Sequence, residues 1–145
     1  MEMQYITVAQ AIEIHRLTVE VSGGGDIGLI NRGQLESVLE HIRNDDYYPT
    51  FEDKLTHLVF CACKFHCFTD GNKRIAISLG AQFLLLNGYV FIAANFINYM
   101  ENIIYHVAGG NVTKELLNEI IIALLENTHE REELKLKIWH AIQGN

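Results

Sequence analysis

Apolar residues recur at helical spacing through most of the chain. Thr7 can cap a helix, and Val8, Ala11, Ile12, His15 and Val19 then fall on one stripe, which predicts a helix to about Val21. Ser22-Gly23-Gly24-Gly25-Asp26 ends it, because glycines take left-handed backbone angles at no steric cost. Asn31 is placed to cap a second helix from about Arg32 to Ile42, with Leu35, Val38, Leu39 and Ile42 facing inward. Residues 44–50, Asn-Asp-Asp-Tyr-Tyr-Pro-Thr, mix turn formers with two tyrosines and predict a loop or short hairpin. A third helix is expected from near Phe51 to about His66. Its later half, Leu58 to Cys63, is apolar all round, as in a helix buried on all sides. Cys67 to Gly71 interrupt the pattern, and a fourth helix follows from about Asn72 to Asn87, with Gly88 as its natural terminator. Tyr89-Val90-Phe91-Ile92 reads as a short strand or an extended loop. Helices near Ala94–Val107 and Thr113–Glu126, separated by Gly109-Gly110, complete a bundle, and a mixed charged and apolar tail predicts a last, partly exposed helix. The fold class is therefore all-α, two central helices flanking one polar loop.

Composition narrows the classes of function. A chain of 145 residues fits one domain, and its 49% hydrophobic and 20% charged content excludes disorder. The formal charge of −7 is the wrong sign for a duplex nucleic-acid binder, so no direct nucleic-acid binding is expected. The longest apolar stretch, Ile75 to Leu86, is too short for a membrane span. The start, Met-Glu-Met-Gln, has no basic region of the kind a secretory signal carries. Cys61, Cys63 and Cys67 are odd in number and crowded together, which is no disulfide framework and suits a reducing cytoplasm.

The chemistry concentrates in the polar loop, Phe65-His66-Cys67-Phe68-Thr69-Asp70-Gly71-Asn72-Lys73-Arg74. Cations in the first turn of a helix oppose its dipole, so Lys73 and Arg74 call for an anionic partner. Residues 64–74 carry a local charge of +2 within a chain of −7, a reversal that a phosphate site explains. Asp70 is a hard oxygen ligand suited to Mg²⁺. Gly71, Asn72, Lys73 and Arg74 can hold phosphates, and the His66 imidazole can take the proton of an incoming hydroxyl. Singly, each residue has an ordinary structural explanation; the order and spacing together favour a site.

His66-x-Phe68-x-Asp70-Gly71-Asn72-Lys73-Arg74 resembles the signature of the Fic/Doc superfamily, H-x-F-x-D/E-G-N-G/K-R, at every specified position. Lys73 in place of the second Gly, and Ile77 where Fic proteins carry a second Arg, resemble the death-on-curing (Doc-like) branch. Gly25-Asp26-x-Gly28-Leu29, Leu35 to Leu39, Phe83 to Tyr89 and Ala108-Gly109-Gly110 are similar to further family segments, so the likeness covers about residues 5–126. The expected organisation is a Fic/Doc domain over 1–126 and a helical tail over 127–145 that packs on or extends it.

The resemblance implies a helical bundle with a small flap loop or hairpin beside the active-site loop. It implies transfer of part of a nucleoside triphosphate such as ATP, with Mg²⁺, to a hydroxyl of a target protein. His66 would be the general base, Asp70 the metal-binding acid, Arg74 a catalytic and phosphate contact with Asn72 and Lys73, and Phe68 the loop's anchor in the core. The Doc-like features imply phosphoryl transfer and a toxin paired with a small antitoxin. AMP transfer, or a non-catalytic binding module on the same fold, is the alternative. Asp46, Tyr47, Tyr48 and Pro49 are the candidate flap that docks a target segment as an added strand. Cys63, His66 and Cys67 share helical spacing but lack the pairing usual for zinc. Thr128 with Glu132 is a weak match to the family's inhibitory S/T-x-x-x-E-G/N element, because Glu133 replaces its last residue, so a separate antitoxin is the expected restraint.

Overall fold

The computed structural model describes residues 2–24, 28, 31–69 and 71–143. Seven helices occur among them, in the order α1 (Val8–Val21), α2 (Arg32–His41), α3 (Phe51–Lys64), α4 (Asn72–Leu86), α5 (Val90–Ala108), α6 (Lys114–Glu126) and α7 (Glu132–Ile142). No strand occurs among the described residues, and none of their helices is long and apolar enough to cross a membrane.

Capping chemistry sets several of the boundaries. The Thr7 hydroxyl accepts from the Gln10 N–H while the Gln10 side chain accepts from the Thr7 N–H, a reciprocal capping box. Asn31, Thr50 and Thr113 cap α2, α3 and α6 in the same sense, each accepting from an amide three residues on. One boundary departs from expectation. Tyr89 to Ile92 form no strand: Tyr89 caps α5 and the helix begins at Val90. The β-forming side chains of Val90 and Phe91 face solvent there, and the buried Ala93, Phe96 and Met100 set a helical rather than an alternating period.

α3 and α4 form the centre. Leu55, Leu58, Val59, Ile75, Leu79, Phe83 and Leu84 are wholly buried, each contributing about 1.5–3 kcal/mol of apolar burial. α4 is flanked by α1 and α5, and α3 by α2 and α6. Close approach is enforced at Gly80, where a Cβ would lie 2.6 Å from Phe96 Cζ and 2.9 Å from Val59 Cγ2. α7 packs on α6, with Leu134 and Ile138 buried.

Two buried polar side chains organise the N-terminal end of α3. Lys54 is 1% exposed, and its ammonium donates at 2.7 Å to both the Ile42 carbonyl and an Asp45 carboxylate oxygen. His57 Nδ1 lies 2.8 Å from Lys114 Nζ of α6, and its ring is tilted against that of Tyr48 with centroids 4.4 Å apart. Together these pin residues 42–48 onto the bundle.

Candidate active site

The motif loop joins the C-terminal end of α3 to the N-terminal end of α4. α3 ends at Lys64, and His66 follows with φ +49°, the left-handed conformation in which chains commonly leave a helix. That places an exposed imidazole at the helix end. The chain then dives inward. Phe68 is 2% exposed, and its ring stacks on the buried His15 of α1 with centroids 3.8 Å apart and planes 11° from parallel. Phe68 thus sits in the core, and its partner is a histidine that spacing alone marked only as one of an inward stripe.

Asn72, the first residue of α4, closes the loop. Its Oδ1 accepts from the Phe68 N–H at 3.2 Å, and its Nδ2 donates to the Phe68 carbonyl at 2.9 Å. This pair of bonds fixes the orientation of the carboxamide, so it is the NH₂ group that lies 3.4 Å from His66 Nδ1. The side chain is 8% exposed. The Asn72 carboxamide therefore braces the loop and lies beside the His66 ring. Gly71 caps α4 with φ +75°, which favours glycine, and a Cβ there would lie 3.3 Å from both Arg74 Nη2 and Val19 Cγ2, a tight fit.

A cavity of about 510 Å³ opens at this end of α4, lined by Gly71, Asn72, Lys73, Arg74 and Ile77 and by Glu101, Ile104 and Tyr105 of α5. Its size suits a nucleotide-sized ligand. Lys73 is exposed, with its ammonium 5.7 Å from the centre of the Tyr105 ring. The motif thus supplies one wall and α5 the other, and the α5 residues carried no signal in the sequence, because nothing local marks which face of a helix meets a distant loop.

Asp70, the expected metal-binding acid, lies outside the described residues. No group of three or more His, Cys, Asp or Glu side chains able to hold a metal occurs among the described residues. Cys63 and Cys67 are buried free thiols whose burial holds them in the neutral form. A magnesium ion held by one carboxylate and substrate phosphates needs no such cluster.

The candidate flap requires correction. Asp46, Tyr47, Tyr48 and Pro49 precede α3, whereas the motif loop follows it, and fourteen residues of helix put roughly 20 Å between the two. The segment is a run of turns, with Asn44 Oδ1 accepting from the Asp46 and Tyr47 amides, and not a hairpin. Tyr48 is turned inward onto His57, and Tyr47 is exposed. The chain that does run beside the motif loop comes from before α2: the Asn31 N–H donates to the Cys67 carbonyl, and the Thr69 N–H donates to the Gly28 carbonyl. The neighbouring residues 25–27, 29 and 30, which include Asp26, lie outside the described residues. The tyrosine-rich loop drew attention by composition, but the length of α3 decides which end of the bundle it serves. Glu132, the weak candidate for an inhibitory acid, opens α7 against α6 and does not line the cavity.

Comparison with known proteins adds to this geometry. No curated protein matches the chain. A sequence model of the Fic/DOC family matches residues 5–84, more than half of the chain, from just before α1 nearly to the end of α4 and across the whole motif loop. With the helical bundle and the motif at the junction of its two central helices, that match establishes that the chain belongs to the Fic/DOC family, whose members generally transfer nucleotide-derived groups to proteins.

Proposed function

We propose that this protein is a Doc-like phosphotransferase that moves the γ-phosphoryl group of a nucleoside triphosphate to a hydroxyl of a target protein. The observation that carries the reading is that Lys73 and Ile77 line the same cavity as Arg74. A glycine at 73 would leave room for a departing pyrophosphate, and an arginine at 77 would clamp the terminal phosphate. Here a long cation fills the first position and an apolar side chain the second. The groups that remain favour presentation of the γ-phosphate rather than the α-phosphate beside His66.

The residues divide the work as follows. Lys73 and Arg74 face the phosphates from the first turn of α4, where the helix dipole adds to their charge. Asp70 is the residue that would hold Mg²⁺, which when bound neutralises charge on the phosphate oxygens. His66 takes the proton of the attacking hydroxyl as that oxygen bonds to the γ-phosphorus. The bond from phosphorus to the β–γ bridging oxygen breaks, and the nucleoside diphosphate leaves with the electron pair. A ring nitrogen that carries no proton accepts the one from the hydroxyl, and the ring is exposed at the end of α3.

The same reading makes the protein a toxin held in check by a small antitoxin, since Glu132 lies off the cavity and cannot serve as an internal restraint. Three free buried thiols fit a cytoplasmic setting.

Incubation with a cell lysate and ATP labelled in turn at the α and γ positions tests the proposal. Label from the γ position should enter a protein, with a mass gain of about 80 Da, while an AMP adduct of about 329 Da would replace this reading with adenylylation. His66→Ala should lower transfer by about 10²–10⁴-fold with the fold intact, and an undiminished rate would remove His66 from the chemistry.

A further inference from the structure

The wall of the cavity contributed by α5 lies beyond residues 5–84, which the family model matches. It holds one carboxylate, Glu101, one turn from Tyr105 on the same helix face. Across the cavity the Lys73 ammonium sits over that Tyr105 ring at 5.7 Å. A cation and a carboxylate thus border the same ring. Yet neither Lys73 nor Glu101 makes an ion pair among the described residues, whereas Arg16, Arg32 and Lys137 each take a carboxylate within 3.2 Å. The lining thus combines cations from the helix terminus, an acid from α5, and the apolar Ile77 and Ile104.

A carboxylate is repelled by phosphate and accepts only, so in a nucleotide cavity it suits the end away from the phosphates. Its two oxygens match two adjacent donors. From these placements, and resting on the phosphotransferase reading above, we propose that Glu101 is a specificity residue that receives a pair of neighbouring donors of the nucleoside, with the flat, apolar part of that ligand against Tyr105 and the two isoleucines. Two nucleoside groups have this chemistry: the vicinal ribose hydroxyls and the N1–H and N2–H edge of guanine. Adenine presents a single donor beside an acceptor and does not match.

Equilibrium titration of the protein with ATP, 2′-deoxy-ATP, GTP and 2′-deoxy-GTP, each in magnesium and in EDTA, separates the sources. Recognition of the ribose predicts that both deoxy forms bind on the order of ten-fold more weakly, whichever base they carry. Recognition of guanine predicts that GTP and its deoxy form both bind about ten-fold more tightly than ATP. In either case Glu101→Gln and Glu101→Ala abolish the discrimination, while Lys73→Ala weakens all four nucleotides alike. Equal affinity of the unaltered protein for all four overturns the assignment and leaves the phosphate site standing. So does discrimination that survives in both Glu101 variants. A uniform loss in those variants, present in magnesium and absent in EDTA, assigns Glu101 to the metal and likewise overturns it. Failure of the unaltered protein to bind any of the four overturns this proposal and the phosphotransferase reading together.

Discussion

His66 combines two demands at one residue. Its φ of +49° belongs to the region where a side chain costs about 1–2 kcal/mol, and glycine is the usual occupant at the end of a helix. An imidazole there stands clear of α3 at the mouth of the motif loop, so the backbone carries a cost at the position where the proposed chemistry requires a side chain. Replacement separates the two demands. His66→Gly relieves the left-handed conformation, and His66→Ala keeps it, so the glycine variant should be more stable than the alanine variant by about 1 kcal/mol, though both lack transfer. Thermal denaturation of the two proteins checks this, and equal midpoints would mean that the conformation carries no cost. The motif spacing marked His66 as a candidate base, but its backbone angle depends on how α3 ends against the inward turn of Phe68.

The elements α3, α4 and α5 meet where Gly80 allows them to. A helix interior ordinarily gains about 1 kcal/mol when glycine becomes alanine. At Gly80 the added methyl would lie 2.6 Å from Phe96 Cζ and 2.9 Å from Val59 Cγ2, both on wholly buried side chains. Overpacking of this kind costs about 1–3 kcal/mol, so Gly80→Ala should destabilise the protein despite the better helix former. Pairing it with Phe96→Leu should recover part of the loss, since the shorter side chain withdraws from the new methyl; denaturant titration of the three variants measures both effects. Because the same α4–α5 contact sets the width of the cavity further along, Gly80→Ala should also weaken nucleotide binding. Helix periodicity located α4 and most of α5. It could not show that Gly80 is a contact point, because a glycine in a helical pattern reads only as a weakness.

At the scale of the whole molecule, the end of the bundle opposite the motif loop responds to acid. His57 is held to a pKa of about 4, first by burial and then by the positive charges of Lys114 and His41. In the unfolded chain a histidine titrates near 6.5. Above that value the ring is neutral in both states and contributes no pH dependence. As pH falls from about 6.5 to 4, the unfolded chain takes up a proton that the folded protein excludes, so stability is lost across that window, by up to about 3 kcal/mol. Unfolding free energies at pH 6.5 and pH 4.5 should therefore differ more in the unaltered protein than in His57→Asn, where the titrating ring is gone. An equal difference in both would assign the acid sensitivity to other groups. Such loosening should begin around residues 42–48, which lean on His57 through Tyr48, and leave the motif loop, a helix length away, unaffected until the bundle opens.

The all-helical class, most helix boundaries and the motif loop were determined by the sequence itself. Capping side chains act within three residues, apolar period follows a single helix, and the spacing from His66 to Arg74 is a local property of the chain. Tertiary structure alone decided how the site is enclosed. It stacked Phe68 on His15, turned the Asn72 carboxamide inward to brace the loop, and brought Glu101 and Tyr105 from α5 to line one cavity with Lys73. It also put the Tyr47–Tyr48 segment at the wrong end of α3 for a flap and set Gly28 and Asn31 beside the loop instead. These are contacts between residues distant in sequence, fixed by the lengths and packing angles of helices rather than by the character of any one segment, and no local pattern encodes them.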